Sequence, residues 1–123
     1  MRDVMRARDD IPPAGALQPS AFHILLALAD ADRHGYAIIQ DVAARSNGAV
    51  RLSAGTLYRS IQRLLEQGLV EEVRQRPAPE LDDERRRYYR ITSAGRAAAR
   101  AETDRLAALL RLARVSGFVP GKA

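Results

Sequence analysis

LSAGTLYRSIQRLLEQGLV, residues 52–70, decides how the rest of the chain is read. Ser53 is a residue type that caps helix starts, and Gly68 is the type that stops them. Between them Leu57, Ile61, Leu64 and Leu65 fall at helical spacing and form one buried stripe. At about 100° per residue, Arg59 points almost directly away from that stripe. Thr56, Arg63 and Glu66 flank it, and Gln62 and Tyr58 sit at one edge of the exposed arc. A surface helix of a small protein usually mixes acids and bases. This one offers hydrogen-bond donors and arginine.

The flanking segments give the helix its context. Ser20 follows Pro19 and is read as the N-cap of AFHILLALADA, a run apolar almost all round and so a buried first helix. Asp30 to Gly35 reads as a polar turn. GYAIIQDVAARS places Tyr36, Ile39 and Val42–Ala43 at helical spacing, a second helix that Ser46-Asn47-Gly48 ends. Three helices joined by short turns suggest a helix-turn-helix unit. LVEEVRQR then reads as a strand, PAPELDDE as a turn, and RRRYYRIT as a second strand with Tyr89 and Ile91 on one face. The expected fold is mainly α with a small β-hairpin wing, a winged helix-turn-helix whose third helix enters the major groove N-terminal end first.

After the wing, Ser93 is read as the cap of a last helix, AGRAAARAETDRLAALLRLAR. Its Leu106, Leu109, Leu110 and Ala113 form an apolar seam that the winged core does not need. A second copy of the same helix would cover it, giving a homodimer. Packing of the last helix back on the first helix of its own chain is expected as well. The organisation is then a flexible arm at 1–15, a DNA-binding winged domain at 16–92, a C-terminal dimerisation helix at 93–116 and a tail at 117–123.

Composition sets the limits. The 123 residues suit one domain with one modest core, and 46% hydrophobic with 28% charged is ordinary for a globular protein. There is no cysteine, so disulfides and thiolate metal sites are excluded. No apolar run approaches the ~20 residues that span a bilayer, and MRDVMRARDD lacks the apolar core of a signal peptide, which together suggest a cytoplasmic protein without a membrane role. The net charge is +5, and Lys122 is the one lysine among 20 basic residues. Arginine fits phosphates and guanine edges, although a GC-rich genome also favours it.

HGYAI at 34–38, LSAGTLYRSIQRLLEQGLV at 52–70 and RRRYYRITSAGRAAA at 85–99 together resemble the PadR family of transcriptional regulators, over roughly residues 20–114. The resemblance implies a dimeric winged-helix repressor on a palindromic operator. Thr56, Leu57 and Tyr58 match the family's GTLY, with the Tyr58 hydroxyl expected at a phosphate and Leu57 in the core. Tyr88 and Tyr89 match its wing strand, Tyr89 as core and Tyr88 as the more exposed. Thr92 and Gly95 match a structural strand-to-helix step. Three departures stand out. Arg59 replaces the proline that many members carry after GTLY. A single C-terminal helix follows the wing, as in the short subfamily. There is no tryptophan, so the stacking of aromatic drugs between tryptophans is not available here. MarR-type proteins share the Thr–x–x–Gly step but usually carry more helix before the winged core.

Ser53, Thr56 and Arg59 are expected nearest the base edges, with Arg63 on phosphate or base and Gln62 and Tyr58 beside them. The bland alternative is a solvated face with an Arg63–Glu66 pair. Arg76, Arg85, Arg86 and Arg87 are expected to hold backbone at the base of the wing, while the acidic tip Glu80–Glu84 stays clear of phosphate. The alternative there is that the two charge runs pair with each other. Asp82-Asp83-Glu84 lacks the alternation of a calcium loop, and His23 and His34 have no partner at ligand spacing, so no metal and no cofactor are expected. No phosphate loop or nucleophile–base pattern points to an enzyme. A small-molecule effector, which the sequence does not name, would act by wedging between the first and last helices at the dimer centre. The competing function is a winged-helix protein-interaction module without its own operator, for which Arg59→Ala with Arg63→Ala would be without consequence.

Overall fold

The computed structural model describes residues 16–73 and 87–119. In chain order these form α1 (Pro19–Ala27), β1 (Arg33–His34), α2 (Gly35–Arg45), α3 (Ala54–Glu66), β2 (Val70–Val73), β3 (Tyr88–Ile91) and α4 (Ser93–Val115). The expected fold holds: three helices, a small antiparallel sheet and one long final helix.

The core sits where α1, α2 and α3 meet the sheet. Ile24, Leu25 and Leu28 from the first helix and its end pack with Ile38 and Val42 of α2 and Leu57, Ile61 and Leu64 of α3. Tyr89 and Ile91 of β3 and Ala98 of α4 close it. The stripe read in the third helix is thus correct, with Leu65 half-buried at its margin. Where α1 crosses α3, two serines meet: the Ser20 and Ser60 hydroxyls are 2.8 Å apart. Ser20 is therefore inside the helix and is not its cap. Gln18 holds the cap position without a side-chain bond, and Pro19, whose fixed φ suits the first helical position, starts the helix. Nor is α1 buried all round, since Leu26 is 38% exposed.

Two further expectations change. In α2 the buried positions are Gly35, Ile38 and Val42, whereas Tyr36 is 61% exposed. The stripe read from Tyr36 was one residue out of phase at its start. The polar turn at Asp30–Gly35 also contains β1, which pairs antiparallel with β3 through Arg33–Tyr89 and His34–Tyr88. The sheet consequently has three strands, in the order β1-β3-β2, and the hairpin pairs Val70 with Ile91 through Val73 with Tyr88. Two arginines tie the turn before β1 to its neighbours: Arg33 Nε donates to the Ala27 carbonyl at 2.7 Å, and Arg90 makes two bonds to Asp32 at 3.2 and 2.9 Å.

The corner from β3 into α4 is capped by Thr92, not by Ser93. The Thr92 hydroxyl accepts the Gly95 N–H at 3.0 Å and donates to the Gly68 carbonyl at 2.7 Å, so it fastens the helix to the end of α3 as well. The first half of α4 packs on α1 and β3, as expected for its own chain. Its second half carries Leu106, Leu109 and Leu110, which are 39%, 48% and 47% exposed, with Ala113 half-buried. The arm 1–15, the wing residues 74–86 and the chain end 120–123 lie outside the described residues, and so do the expectations placed there.

Candidate nucleic-acid interface

α3 starts where the sequence says it should. Ser53 is the N-cap, and its Oγ accepts the Thr56 N–H at 3.1 Å. At the far end Gly68 has φ +75°, a left-handed conformation that glycine adopts without penalty. Asn47 and Gly48, both with positive φ, make the turn that leads out of α2 toward it. With Leu57, Ile61 and Leu64 buried, the opposite face is fixed outward: Ser53, Tyr58, Arg59, Gln62 and Arg63 are exposed, and Thr56 is half-exposed.

The side chains on that face are ordered along the helix. The Ser53 hydroxyl donates to Thr56 Oγ1 at 3.1 Å, and Arg59 Nη2 donates to the same oxygen at 3.4 Å. The guanidinium therefore lies back over the first turn, where a Cβ built on Gly55 would be 3.4 Å from Arg59 Nη1. One turn on, Gln62 Nε2 donates to Glu66 at 3.2 Å. The expected alternative partner for Glu66 was Arg63, but among the described residues Arg63 forms no ion pair and is left to solvent.

Tyr58 turns toward α2. A Cβ on Gly35 would collide with its hydroxyl and stand 2.9 Å from its Cζ, so the phenol lies across the first residue of that helix. His34 caps α2, its Nδ1 accepting the Ala37 N–H at 3.2 Å, and packs edge-to-face on Tyr88 with ring centroids 5.3 Å apart. His34 is thus structural, as expected, and His23 is half-buried in α1. Tyr36 belongs to this exposed edge and is absent from the site residues that the sequence suggests. The buried spacing of Gly35, Ile38 and Val42 was the signal that would have turned it outward.

Of the wing arginines only Arg87 is described. It is exposed and reaches Glu72 of β2 across the hairpin at 3.6 Å; the acidic tip, with which the charge-run reading would pair it, lies outside the described residues. Arg76, Arg85 and Arg86, and the acidic stretch Asp82–Glu84, lie outside the described residues. Among the described residues no group of three or more His, Asp or Glu side chains could hold a metal, and no helix is long and apolar enough to cross a membrane. A shallow groove of about 310 Å³ lies between α1 and α4, lined by Leu25, Leu26, Ile91, Arg96, Arg100 and Thr103 among others.

Residues 24–101 match the model of the transcriptional regulator PadR-like family. A curated relative from Lysinibacillus sphaericus, an uncharacterized protein, is 36% identical over 74 residues, which are 60% of this chain and 65% of that protein. The chain thus spans just under two thirds of that relative's length. A transcriptional regulator from Clostridium thermocellum has a similar fold, with a TM-score of 0.67 at 22% identity over 98% of both chains. A PadR family transcription regulator from Clostridium difficile gives 0.65 at 20% identity, over 79% of this chain and 96% of that one.

Proposed function

The chain belongs to the PadR-like family of transcriptional regulators, and from that premise we propose that it is a homodimeric repressor that binds an inverted-repeat operator through two copies of α3. DNA binding and transcriptional regulation are the family's business, and its members are regulators rather than enzymes. The observation that carries the finer reading is the outward face of α3. It is capped, anchored by three buried residues, and furnished with Ser53, Thr56, Tyr58, Arg59, Gln62 and Arg63.

Each side chain has a task in this reading. Ser53, Thr56 and Arg59, at the N-terminal end, meet base edges in the major groove. Tyr58, seated at the start of α2, meets a phosphate together with Arg63. The arginines at the base of the wing, Arg76, Arg85, Arg86 and Arg87, follow the adjacent backbone. The seam Leu106, Leu109, Leu110 and Ala113 joins two chains, so that both α3 helices reach successive grooves roughly 34–36 Å apart. Repression is the direction such a dimer takes when its operator overlaps a promoter. The groove between α1 and α4 is where an effector of small size would enter and change the angle between the two winged domains. The regulator acts in the cytoplasm, where its DNA is.

Selection of bound fragments from randomised DNA tests this reading, at ~150 mM salt so that non-specific electrostatic binding is suppressed. One inverted repeat with half-sites about a helical turn apart is the expected result, with binding abolished by Arg59→Ala combined with Arg63→Ala. Unrelated sequences held weakly and salt-sensitively would instead favour a module that binds protein.

A further inference from the structure

We propose, resting on the DNA-binding reading of α3, that Thr56 and Arg59 form a donor-only edge that selects guanine at one position of each half-site. The hydrogen bonds leave little choice. Thr56 Oγ1 accepts twice, from the Ser53 hydroxyl at 3.1 Å and from Arg59 Nη2 at 3.4 Å. A hydroxyl oxygen has two acceptor sites and one proton, so the Thr56 proton is the group left to face outward. The Ser53 hydroxyl is used in both directions, accepting the Thr56 N–H and donating to Thr56 Oγ1. Arg59 has donors only and spends one on Thr56. The first acceptor beyond this group is the Gln62 carbonyl, one turn further along, because Glu66 holds the Gln62 amide nitrogen.

Thr56 and Arg59 therefore offer protons and no free acceptor, while Ser53 Oγ, at the cap position, keeps one acceptor site. In the major groove guanine presents two acceptors, N7 and O6. Adenine and cytosine each present an amino donor, and thymine pairs its one acceptor with a methyl group. A donor-only edge is satisfied in full by guanine and opposed by the amino groups of adenine and cytosine. Thr56 is the positioning residue. By holding one guanidinium nitrogen over the first turn, it sets the plane of the remaining donors before DNA arrives, which lowers the ordering cost of a flexible arginine.

The test begins from the operator selected by the wild-type dimer. At the base position whose preference is lost in Arg59→Ala, guanine is replaced by 7-deazaguanine, which lacks N7, or by 2-aminopurine, which lacks O6. Each replacement is expected to weaken wild-type binding by roughly 5- to 150-fold and to cost Arg59→Ala nothing further. Thr56→Val is expected to flatten the preference at that same position, and Thr56→Ser, which keeps the hydroxyl, to restore it. A uniform loss across all sequences in Thr56→Val would overturn the positioning role. An operator whose Arg59-dependent base is not guanine, or equal sensitivity of both proteins to the modified bases, would overturn the guanine assignment while leaving operator binding intact. Recovery of no operator by the wild-type protein would overturn the reading of α3 and this inference with it.

Discussion

Two glycines show how differently single residues constrain this molecule. A Cβ at Gly95 would collide with the Leu69 carbonyl oxygen and stand 2.8 Å from Ile91 Cγ1. That carbonyl is pinned by the Thr92 N–H at 3.1 Å, so the backbone has nowhere to retreat. Gly95→Ala is expected to cost ~3 kcal/mol, read as a lowered midpoint in denaturant unfolding. A Cβ at Gly35 meets the far end of Tyr58, a side chain that can swing away, and stands 3.1 Å from Leu57 Cδ2 in the core. Gly35→Ala should therefore cost less than Gly95→Ala, about 1–2 kcal/mol, with the better helix propensity of alanine offsetting part of the crowding. Its operator affinity should nevertheless fall, because the phenol loses its seat, and Tyr58→Phe should reproduce the loss. Equal affinities for Gly35→Ala and wild type would remove Tyr58 from the contact list. The sequence resemblance marked both glycine-containing motifs, but not the difference between them. Which atoms stand beside a missing Cβ is a tertiary fact, decided above all by Leu69 for Gly95 and by Leu57 and Tyr58 for Gly35, more than 20 residues away.

α3 was legible because its signals are local and agree. A cap-type residue, a strong apolar stripe and a terminal glycine lie within one stretch, and the structure places the helix at Ala54–Glu66 as that pattern implies. Ser53→Ala should remove the bond to the Thr56 N–H and cost ~1 kcal/mol of stability. It should also loosen Thr56, and so weaken operator discrimination more than stability alone explains, which Ser53→Thr would largely restore. The other caps were misread where two signals compete. Pro19 starts α1 one residue before Ser20, and Thr92 outcompetes Ser93 because its hydroxyl also reaches Gly68. β1 escaped notice for a related reason. Two residues carry no periodicity, and Arg33–His34 is a strand only because β3 lies beside it. The exposed seam on α4, by contrast, could be read in advance, since spacing alone puts its leucines on one side.

At the scale of the whole molecule, α4 ties Leu17, just before α1, to its own middle, and its second half carries exposed leucines. Glu102 is buried, accepts the Leu17 N–H at 3.2 Å, and receives two bonds from Arg105 at 3.0 and 2.6 Å. The Arg105 contact holds its carboxyl below the usual carboxylate range. A lowered folded-state pKa means stability that is present above the unfolded value and lost as pH falls through the folded one. Thermal unfolding should therefore show wild type losing stability faster than Glu102→Gln below about pH 4. Beyond Arg105, Leu106, Leu109 and Leu110 face outward at 39–48% exposure, so charging them removes nothing from the core of the single chain. Leu106→Glu with Leu110→Glu should leave the thermal midpoint of the winged domain near that of wild type, yet convert a dimer to a monomer in sedimentation. Operator binding should then drop by more than any single contact accounts for. Two linked α3 helices bind with the second event intramolecular, and that gain of roughly 10²–10⁴ disappears with the seam. A wild-type protein that sediments as a monomer at micromolar concentration would deny the dimer. A charged variant that stays dimeric would move the contact away from Leu106 and Leu110. Only a monomer would leave the arginines of α3 facing DNA without the second half-site that makes an inverted repeat readable.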